Sequence, residues 1–374
     1  MANLRLKNIK KSFSGQIALD NLNLDVEDGE FFVILGHTGA GKTTMLRCIA
    51  GLEQPEQGEI YMDDELISDM TPATRDVAFV FQEHILYPHM TVYENMAFPL
   101  HPRGHSDSEI NLRVVEIAEM LHIEHLLERQ PSQLSGGETQ RVGLGRAMVR
   151  QPKVFLMDEP ISALDAKLRA EMRAEIKWRQ RQTGITTLYV THDQTEAMSM
   201  ADRIAILKDG GVMQVGTATE VYRSPANLFV ADFIGNPSIN LIPCKVLAEG
   251  ENIRMSFLGH LQWQITEAEI AKKLATVDRD CEVILGVHPE DISLEDGQGT
   301  NGIPAEIYEF ESLGAETIVD LSLGENGEGE TVMLKVRTSP DFDKAVGQIV
   351  SINFDQKQLL FFDTITGDAI RGRD

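Results

Sequence analysis

The chain has 374 residues, enough for two or three domains, and carries a formal net charge of −24 with a pI near 4.8. This acidic balance argues against nucleic acid as a main partner, because a phosphate backbone would be repelled over most of the surface. The sequence has no run near the ~20 apolar residues that span a bilayer, no signal-peptide core and only three scattered cysteines, so we expect a reducing cytosol and a membrane role only through a partner.

The first 30 residues contain short segments in which apolar and polar side chains alternate. Leu22, Leu24 and Val26 lie on one side of such a segment, which Asp28 and Gly29 interrupt. Alternation with a period of two is typical of a strand with one buried face. The sequence therefore predicts β-structure at the N-terminus.

A continuous apolar run over residues 31–35 leads into GHTGAGKT, residues 36–43, and then into a helix-forming segment that closes around Gly51. A GxxxxGK[ST] pattern indicates a phosphate-binding loop when it lies between a buried strand and the start of a helix. Both flanking elements are predicted here. The sequence therefore predicts a nucleotide phosphate site in this turn.

The chemistry of the turn follows from its residue types. Glycines let backbone N–H groups point inward without an obstructing Cβ, and the following helix adds the positive end of its dipole. Lys42 would supply a mobile cation to the β and γ phosphates, and Thr43 would offer its hydroxyl to Mg²⁺. The predicted nucleotide-binding residues of this loop are Gly36, His37, Thr38, Gly39, Ala40, Gly41, Lys42, Thr43 and Thr44.

One residue before the loop and one after it are candidates for further contacts with a nucleotide. Phe13, in the turn-rich piece SFSG, could stack on an adenine ring, because a π-face needs a flat apolar partner. Gln82 ends the predicted buried strand VAFVFQ, on the side of an α/β sheet where ligands collect, and is a candidate for Mg²⁺ and the attacking water. The alternatives are an ordinary core or edge aromatic for Phe13 and a surface glutamine that begins a loop for Gln82.

A helical insertion follows Gln82. Thr91 with Glu94 and Ser106 with Glu109 form two capping-box patterns, and apolar residues then continue at helical spacing to Leu121. The histidines of this stretch lack the spacing of metal ligands: His84, His89, His101, His105, His122 and His125. We expect loop or surface positions for them.

A second anion cradle is predicted where Ser135, Gly136 and Gly137 pass directly into a helix. One nucleotide rarely needs two such cradles. The second cradle is therefore interpreted as serving the nucleotide held by another copy of the chain, with a merely glycine-rich helix start as the alternative.

Two more strands carry polar groups at their ends. Asp158 and Glu159 follow the apolar strand in KVFLMDEP, and adjacent acids at a strand end can divide labour, one orienting a metal's hydration shell and the next polarising a water. His192 stands just past the buried strand TTLYVT, and Asp193 can cap the helix after it. All three side chains are predicted to lie at one edge of the sheet.

The chain changes character after one more hairpin and helical stretch. A hairpin is predicted in RIAILKDGGVMQVG with its turn at residues 209–211, and a helical stretch interrupted at Pro225 follows. Beyond residue 236 short β-like runs alternate with turn signals such as GENGEGE, which favours a small barrel or sandwich. This part carries 11 lysine and arginine residues against 25 aspartate and glutamate residues, which disfavours an oligonucleotide-binding barrel.

These motifs together resemble the ATPase subunits of ABC transporters. GHTGAGKT resembles the Walker A motif, LSGGE the family signature and VFLMDE the Walker B motif; Gln82 resembles the Q-loop residue, SALD with Asp165 the D-loop, His192 the switch histidine and Phe13 the adenine-stacking aromatic. LYPHMTVYENMAFPL, GVHPEDI and ESLGAET are similar to the maltose-type importer branch. The departures are His37 and Thr38 for the usual Pro and Ser, Ala40 for Ser or Cys, and His288 for Arg.

The resemblance implies an α/β P-loop ATPase cassette over residues 1–235, with a helical subdomain at about 88–150, followed by a β-rich OB-like regulatory or dimer domain over residues 236–374. It implies the cofactors ATP and Mg²⁺, with Thr43, Gln82 and Asp158 at the metal. Glu159, His192 and Gln82 would be catalytic. Ser135, Gly136, Gly137 and Asp165 would contact the nucleotide of a head-to-tail second copy.

The implied function is ATP hydrolysis that drives uptake of a sugar, polyol or sugar phosphate. The implied partners are two integral membrane permease subunits and, indirectly, an extracytoplasmic solute-binding protein, with the chain peripheral at the cytoplasmic face of the membrane. An importer of iron, polyamines or osmolytes and a soluble ABC protein of DNA repair or translation are the alternatives. A GTPase is disfavoured, because the sequence has no NKxD base-reading motif. The C-terminal barrel could bind a regulator or serve only as a dimer contact.

Overall fold

A computed structural model describes residues 2–83, 85–249, 252–258, 261–274, 281–296, 302–324 and 331–371. The chain divides into two compact units, Met1–Ala218 and Thr219–Asp374. The expected boundary between residues 235 and 236 falls within the second of these units, and the assignment of functional domains stays a prediction. His84 and most of the GENGEGE turn lie outside the described residues.

The first unit combines a parallel sheet, an antiparallel sheet and helices. Its strands are β1 Leu4–Phe13, β2 Gln16–Val26, β3 Phe31–Gly36, β4 Gln57–Met62, β5 Glu65–Leu66, β6 Val77–Val80, β7 Val154–Asp158, β8 Thr186–Thr191, β9 Arg203–Lys208 and β10 Gly211–Gly216. Its helices are α1 Lys42–Ala50, α2 Val92–Ala97, α3 Asp107–Met120, α4 Gly136–Met148, α5 Ala166–Thr183 and α6 Gln194–Met200, and α7 Ala218–Arg223 begins at its last residue. Short 3₁₀ turns lie at His101–Arg103, Glu124–Leu126 and Pro131–Gln133.

The six-stranded sheet has the order β10-β9-β3-β8-β7-β6, and all neighbours except β9 and β10 run parallel. β3 is buried along its whole length, as are β7 and β8. Central parallel strands are covered on both faces, which explains the unbroken apolar runs in the sequence. Because the strands are parallel, their carboxyl ends share one edge of the sheet.

The second sheet of this unit is antiparallel, in the order β2-β1-β4-β5. Leu22, Leu24 and Val26 of β2 are buried in the core that this sheet shares with β3 and α1, as their alternation predicts. The hairpin of β9 and β10 turns through Asp209 and Gly210, which both have positive φ. The predicted hairpin is therefore confirmed.

The stretch from β6 to β7 is helical. Both predicted capping boxes are formed, at the starts of α2 and α3, and α2 packs against α3 and α4. One boundary in this region was wrong: β6 ends at Val80 and not at Gln82. The pairing with β7 stops at Val80 and Met157, and Phe81 and Gln82 lie exposed beyond it.

The second unit is β-rich. Its helices are α8 Leu228–Phe233 and α9 Ala268–Leu274, and its strands are β11 Asn240–Glu249, β12 Asn252–Phe257, β13 Leu261–Ile265, β14 Glu282–Val287, β15 Ile292–Asp296, β16 Ile303–Ser312, β17 Thr317–Leu323, β18 Val332–Thr338, β19 Ile349–Phe354 and β20 Leu360–Asp363. Two five-stranded antiparallel sheets form, β13-β12-β11-β14-β20 and β15-β19-β16-β17-β18. The six predicted runs correspond to β14, β16, β17, β18, β19 and β20.

Four strands of this unit were not predicted, β11, β12, β13 and β15. In β12 and β13 the buried residues alternate with polar ones: Ile253, Met255 and Phe257 in the first, Trp263 and Ile265 in the second. Such half-buried strands lack the continuous apolar runs that guided the prediction. They complete one side of a core in which Trp263 packs edge-on against Phe354 at 5.1 Å between ring centroids.

Candidate functional site

Four strand ends bring the predicted catalytic residues to one edge of the parallel sheet. Gly36 ends β3, Asp158 ends β7, His192 directly follows β8, and Gln82 lies two residues beyond β6. The register places Asp158 beside Val190 and Leu35 beside Thr191. In open α/β sheets ligands bind outside the carboxyl ends of the strands, so this edge is the candidate site.

The glycine-rich turn after β3 depends on Gly41. This residue has φ +99°, and a Cβ built on it would lie 2.3 Å from the carbonyl oxygen of Ala18. Only glycine fits such a backbone conformation at so close an approach. α1 starts immediately afterwards at Lys42, so the turn delivers the N-terminus of a helix to the sheet edge. His37, Thr38 and Gly39 are exposed in this turn, Thr44 is half-buried and Ala40 is buried.

Lys42 reaches back across the turn that precedes it. Its Nζ donates to the carbonyl oxygens of Gly36 at 2.8 Å and His37 at 2.9 Å, and the side chain is buried. Burial lowers the pKa of this ammonium, while the carboxylates of Glu159 and Asp158 act in the opposite direction. A cation is thus held beside two acids at the mouth of the turn.

Thr43 and Asp158 form the part of the site that suits a divalent cation. The Thr43 hydroxyl is hydrogen-bonded to the buried Asp158 carboxyl, whose pKa is raised chiefly by burial. Asp158 Oδ1 is buried and has no hydrogen-bond partner among the described residues. Hard oxygen donors of this kind, one of them unsatisfied, fit Mg²⁺ or a water of its hydration shell.

Glu159 and His192 are paired. Nδ1 of His192 lies 3.0 Å from Oε1 of Glu159, and the histidine side chain is 57% exposed whereas that of Glu159 is 14% exposed. Glu159 has φ +48°, a left-handed backbone conformation that is uncommon for a non-glycine residue and often marks a functional position. Its N–H donates to the carbonyl of Val190 in β8, which fixes it next to the strand that leads to His192.

Gln82 lies in a cleft of about 560 Å³ whose lining includes Thr43 and Asp158. The rest of the lining is mostly apolar and aromatic, with two arginines, and consists of Arg47, Phe79, Phe81, Glu83, Ile85, Leu86, Tyr87 and Arg146. The amide of Gln82 is therefore near the predicted metal ligands. An apolar surface adjoins it.

Phe13 ends β1 and is exposed. The ammonium of Lys11 lies 4.9 Å from the centroid of its ring, a cation–π contact. The same ammonium donates to the carbonyl of Gln54, which holds it in place. An exposed, oriented aromatic ring is compatible with the predicted stacking on adenine.

Ser135, Gly136 and Gly137 begin α4. The Ser135 hydroxyl accepts from the Glu138 N–H, and the Glu138 carboxylate accepts from the Ser135 N–H, so this end of the helix has a capping box. Asp165 has a similar local role, because its side chain accepts from the N–H of Leu168 at the start of α5. Both predicted cross-contact segments are thus exposed helix starts that local hydrogen bonds keep in shape.

Two polar residues near the site, one buried and one half-buried, were missed. Gln140 of α4 bonds to the loop after β7, and Arg169 of α5 donates to the carbonyls of Ser162 and Leu164 in the same loop. One signal was available for Gln140: it lies four residues before Leu144 and seven before Ala147, on the buried face of the helix. A polar side chain on an apolar helical face needs a partner, which marks it as a candidate.

Comparisons with known proteins agree with this architecture. Residues 19–162 match the family model described as ABC transporter, and residues 285–362 match the TOBE domain. The solved dimeric structure of a post-hydrolysis state of the ATP-binding cassette MJ0796, bound to ADP and Pi, superposes with a TM-score of 0.54 at 35% identity, covering 57% of this chain and 98% of that one. The predicted fold class, a P-loop cassette followed by an OB-like domain, is confirmed.

Full-length relatives are also similar. The chain is 47% identical to the trehalose/maltose import ATP-binding protein MalK of Thermococcus litoralis, over 99% of this chain and 100% of that protein. It is 42% identical to the xylose/arabinose import ATP-binding protein XacJ of Haloferax volcanii, over 100% of this chain and 97% of that protein. It is 43% identical to the sn-glycerol-3-phosphate import ATP-binding protein UgpC of Psychromonas ingrahamii, over 99% of this chain and 96% of that protein.

Proposed function

The chain belongs to the family of ABC transporter ATP-binding proteins, and from this we propose that it powers the import of a sugar, polyol or sugar phosphate by hydrolysing ATP. The solute class rests on the relatives, whose names specify import of trehalose or maltose, xylose or arabinose, and sn-glycerol-3-phosphate. The mechanism rests on one observation above all: Lys42, Asp158, Glu159 and His192 meet at one sheet edge next to a phosphate-type turn.

The phosphates of ATP lie against residues 36–44 in this proposal. Backbone N–H groups of the turn and the N-terminus of α1 face the phosphates, and Lys42 contributes the charge that neutralises them. Lys42 exchanges its two carbonyl partners for phosphate oxygens, which are stronger acceptors because they are charged. Phe13 stacks on the adenine.

Thr43, Asp158 and Gln82 are the residues that would hold Mg²⁺. The ion, when bound, neutralises charge that develops on the phosphates. The unsatisfied Oδ1 of Asp158 and the hydroxyl of Thr43 supply the protein's oxygen donors, and Gln82 approaches from the cleft beside them. Ionisation of Asp158 is favoured there by any cation, which offsets the effect of burial.

Glu159 acts as the general base in the proposed hydrolysis. Its carboxylate accepts the proton of the attacking water, and His192 at 3.0 Å orients that carboxylate and contacts the γ-phosphate. Ordinary glutamates are weak bases at neutral pH, so the contribution of Glu159 depends on its orientation as much as on its basicity.

A second copy of the chain completes each site. Its Ser135, Gly136 and Gly137 present a helix N-terminus to the phosphates, and its Asp165 lies at the same contact. Two copies arranged head to tail account for the second cradle, because each nucleotide is then enclosed by one Walker A turn and one α4 start. The dimeric cassette with ADP and Pi is a precedent at 35% identity.

Permease subunits are the proposed membrane partners, and the apolar cleft beside Gln82 is their docking surface. A second cleft of about 260 Å³ continues it, lined by Leu52, Pro72, Phe81 and Pro99 among others. An apolar helix segment of a permease fits such a groove.

Among the described residues no helix is both long and apolar enough to cross a bilayer. In this proposal the permease pair holds the chain at the cytoplasmic face and receives solute from an extracytoplasmic binding protein.

The deciding experiment replaces Glu159 with Gln. Glu159→Gln keeps the shape of the side chain and removes the base, so MgATP should still bind and should hold a dimer, while the turnover number falls about 100-fold or more. Light scattering measures the dimer and phosphate release measures turnover. Glu171→Gln, an exposed glutamate of α5, is the matched control and should behave like the unaltered protein.

The result that overturns the proposal is near-normal phosphate release by Glu159→Gln. If the molecular mass from light scattering does not change on addition of MgATP in either Glu159→Gln or Glu171→Gln, the head-to-tail dimer is contradicted. The solute class needs a separate experiment: the chain is assembled in lipid with its permease subunits and binding protein, and ATP turnover is measured with sugars, polyols, sugar phosphates, iron, polyamines and osmolytes in turn. Stimulation by one of the last three alone would replace the carbohydrate assignment.

A further inference from the structure

Gln140 connects the start of α4 to the loop that carries Glu159. Its side chain is fully buried, five residues after Ser135. Nε2 donates to the carbonyl oxygen of Glu159 at 3.3 Å, and Oε1 accepts from the N–H of Ala163 at 3.0 Å. The amide nitrogen and the amide oxygen of Gln140 therefore both bond to the backbone of one loop, residues 159–163. This loop is called the base loop below.

The peptide of Glu159 is held from several directions. Its carbonyl oxygen accepts from the Ser162 hydroxyl at 3.1 Å in addition to Gln140, and its N–H donates to Val190 at 3.0 Å. These bonds maintain the left-handed backbone at Glu159, φ +48°. A backbone in this region persists only where the surroundings fix it. The direction of the Glu159 carboxylate towards His192 follows from that backbone.

Further contacts hold the base loop between α4 and α5. Gly137 packs so closely that a Cβ on it would lie 3.3 Å from Cδ2 of Leu164. On the other side, Arg169 donates to the carbonyls of Ser162 and Leu164 and also approaches Asp193 at 3.5 Å, next to His192. The base loop is thus fixed between α4 and α5, and Gln140 is the side chain that bonds it to α4.

We propose that Gln140 is a positioning residue, which orients Glu159 and makes it respond to movement of α4. The inference rests on the proposed function, in which Ser135, Gly136 and Gly137 contact the nucleotide bound by the second copy. A displacement of α4 on that contact is transmitted through Gln140 to the general base of the same chain. Each nucleotide thereby influences hydrolysis of the other one.

The test compares Gln140→Met with Gln180→Met. Methionine has nearly the shape of glutamine without its amide. Gln180 is a matched control, since it is buried in α5 and donates to the carbonyls of Gly29 and Ile185, away from the site. Both variants lose hydrogen bonds of a buried amide. Gln140→Met should lower the turnover number about 10- to 100-fold, while MgATP affinity and the MgATP-dependent dimer remain unchanged. Gln180→Met should keep its turnover number.

A double-mutant cycle separates positioning from general destabilisation. In the Glu159→Gln background Gln140 has no base to orient, so adding Gln140→Met should leave the residual single-turnover rate unchanged. A further loss there, or equal losses for Gln140→Met and Gln180→Met, overturns the inference. If Gln140→Met does not fold, Gln140→Asn serves, because it stays a neutral amide but is one methylene too short to bond both Ala163 and the carbonyl of Glu159. If the unaltered chain neither pairs nor hydrolyses MgATP, the proposed function itself fails.

Discussion

Lys42 shows how one side chain combines two opposing electrostatic influences. Burial lowers its pKa, and Glu159 and Asp158 counteract that effect. A phosphate chain would join the two acids in favouring the charged ammonium. We therefore interpret the two carbonyl contacts of Lys42 as a rest position from which it reaches the β and γ phosphates.

Replacing Lys42 with Ala should weaken MgATP binding at least about 10-fold, because a charge-assisted hydrogen bond to phosphate contributes about 1.5–3 kcal/mol. Calorimetric titration in the Glu159→Gln background measures the affinity without turnover. Lys245→Ala, an exposed lysine of β11 paired with Glu282, is the control and should bind MgATP normally. An unchanged affinity in Lys42→Ala would refute the phosphate assignment of the turn.

Glycines of the same turn differ in what a methyl group would meet. Gly41 and Gly39 both have positive φ, but a Cβ at Gly41 would lie 2.3 Å from the Ala18 carbonyl, whereas nothing lies within 4 Å of one at Gly39. Gly39→Ala should cost about 1 kcal/mol of backbone strain. Gly41→Ala adds a steric clash of about 1–3 kcal/mol. Thermal unfolding should show the larger loss for Gly41→Ala; equal losses would mean that backbone strain alone matters.

Among the elements of the second unit, α7 and the β14–β15 connection form a buried polar contact. The ring of His288 is buried and stacks on Tyr222 of α7 at 4.1 Å, and its Nε2 lies 3.1 Å from the Tyr222 carbonyl oxygen. Since a carbonyl only accepts, Nε2 carries the proton. Nδ1 has no partner among the described residues, so a second proton there would be buried without an acceptor. Arg223, Glu290 and Asp291 surround this pair.

This geometry predicts acid sensitivity of the second unit. Burial lowers the pKa of His288 below its ordinary 6.5. The folded state therefore binds fewer protons than the unfolded state between the two pKa values, and stability falls as the pH drops below about 6.5, by at most about 1.4 kcal/mol per pH unit. His288→Gln keeps a donor near the Tyr222 carbonyl and does not titrate. Between about pH 7.5 and 5.5, the midpoint temperature of thermal unfolding should fall more steeply in the unaltered protein than in His288→Gln.

Glu290 and Asp291 are present in both proteins of that comparison, so their own titration largely cancels in the difference. Parallel pH profiles for the two proteins would contradict the role of His288. The resemblance places arginine at this position, and an arginine would remain charged throughout the same range. Acid sensitivity is thus expected to be a property that His288 confers on this chain.

For the whole molecule, the net charge argues against one class of partner and the exposed clefts favour another. A net charge of −24 disfavours nucleic acid, and the exposed apolar residues around Phe81 favour a hydrophobic segment of another protein. The larger cleft is lined by Gln82 and Asp158, so a segment bound there would adjoin the nucleotide site. In the proposed function, such a segment transmits movement of the cassette to a permease.

Leu52→Glu tests this surface. Leu52 is 41% exposed and lines the smaller cleft, so a carboxylate there should weaken binding of the permease subunits by about 2 kcal/mol, roughly 30-fold. Leu112→Glu is the control, because Leu112 is 70% exposed on α3 and is not in the lining of either cleft. Co-purification from detergent measures the binding, and MgATP affinity should be unchanged in both. Equal recovery of permease with the two variants would exclude this docking surface.

Features that depend on short segments of the chain were predictable from the order of residues. The apolar run before Gly36, the glycine spacing up to Lys42 and the acids after β7 define a strand, a turn and a strand end, and these are local properties of the backbone. Parallel strand order then requires that Asp158 and His192 lie at the same edge as the turn. The two capping boxes and the hairpin at Asp209 were predictable for the same reason, because each depends on residues a few positions apart.

Contacts between residues far apart in the chain became visible only in the folded protein. The 3.0 Å contact of His192 with Glu159, the bonds of Gln140 to the base loop and the stacking of His288 on Tyr222 join residues from 19 to 66 positions apart. Their partners are set by how helices and strands pack, and a sequence pattern carries no register for that packing. Half-buried strands such as β12 and β13 were missed for a related reason, since their stability comes from neighbours across the sheet and not from the strand itself.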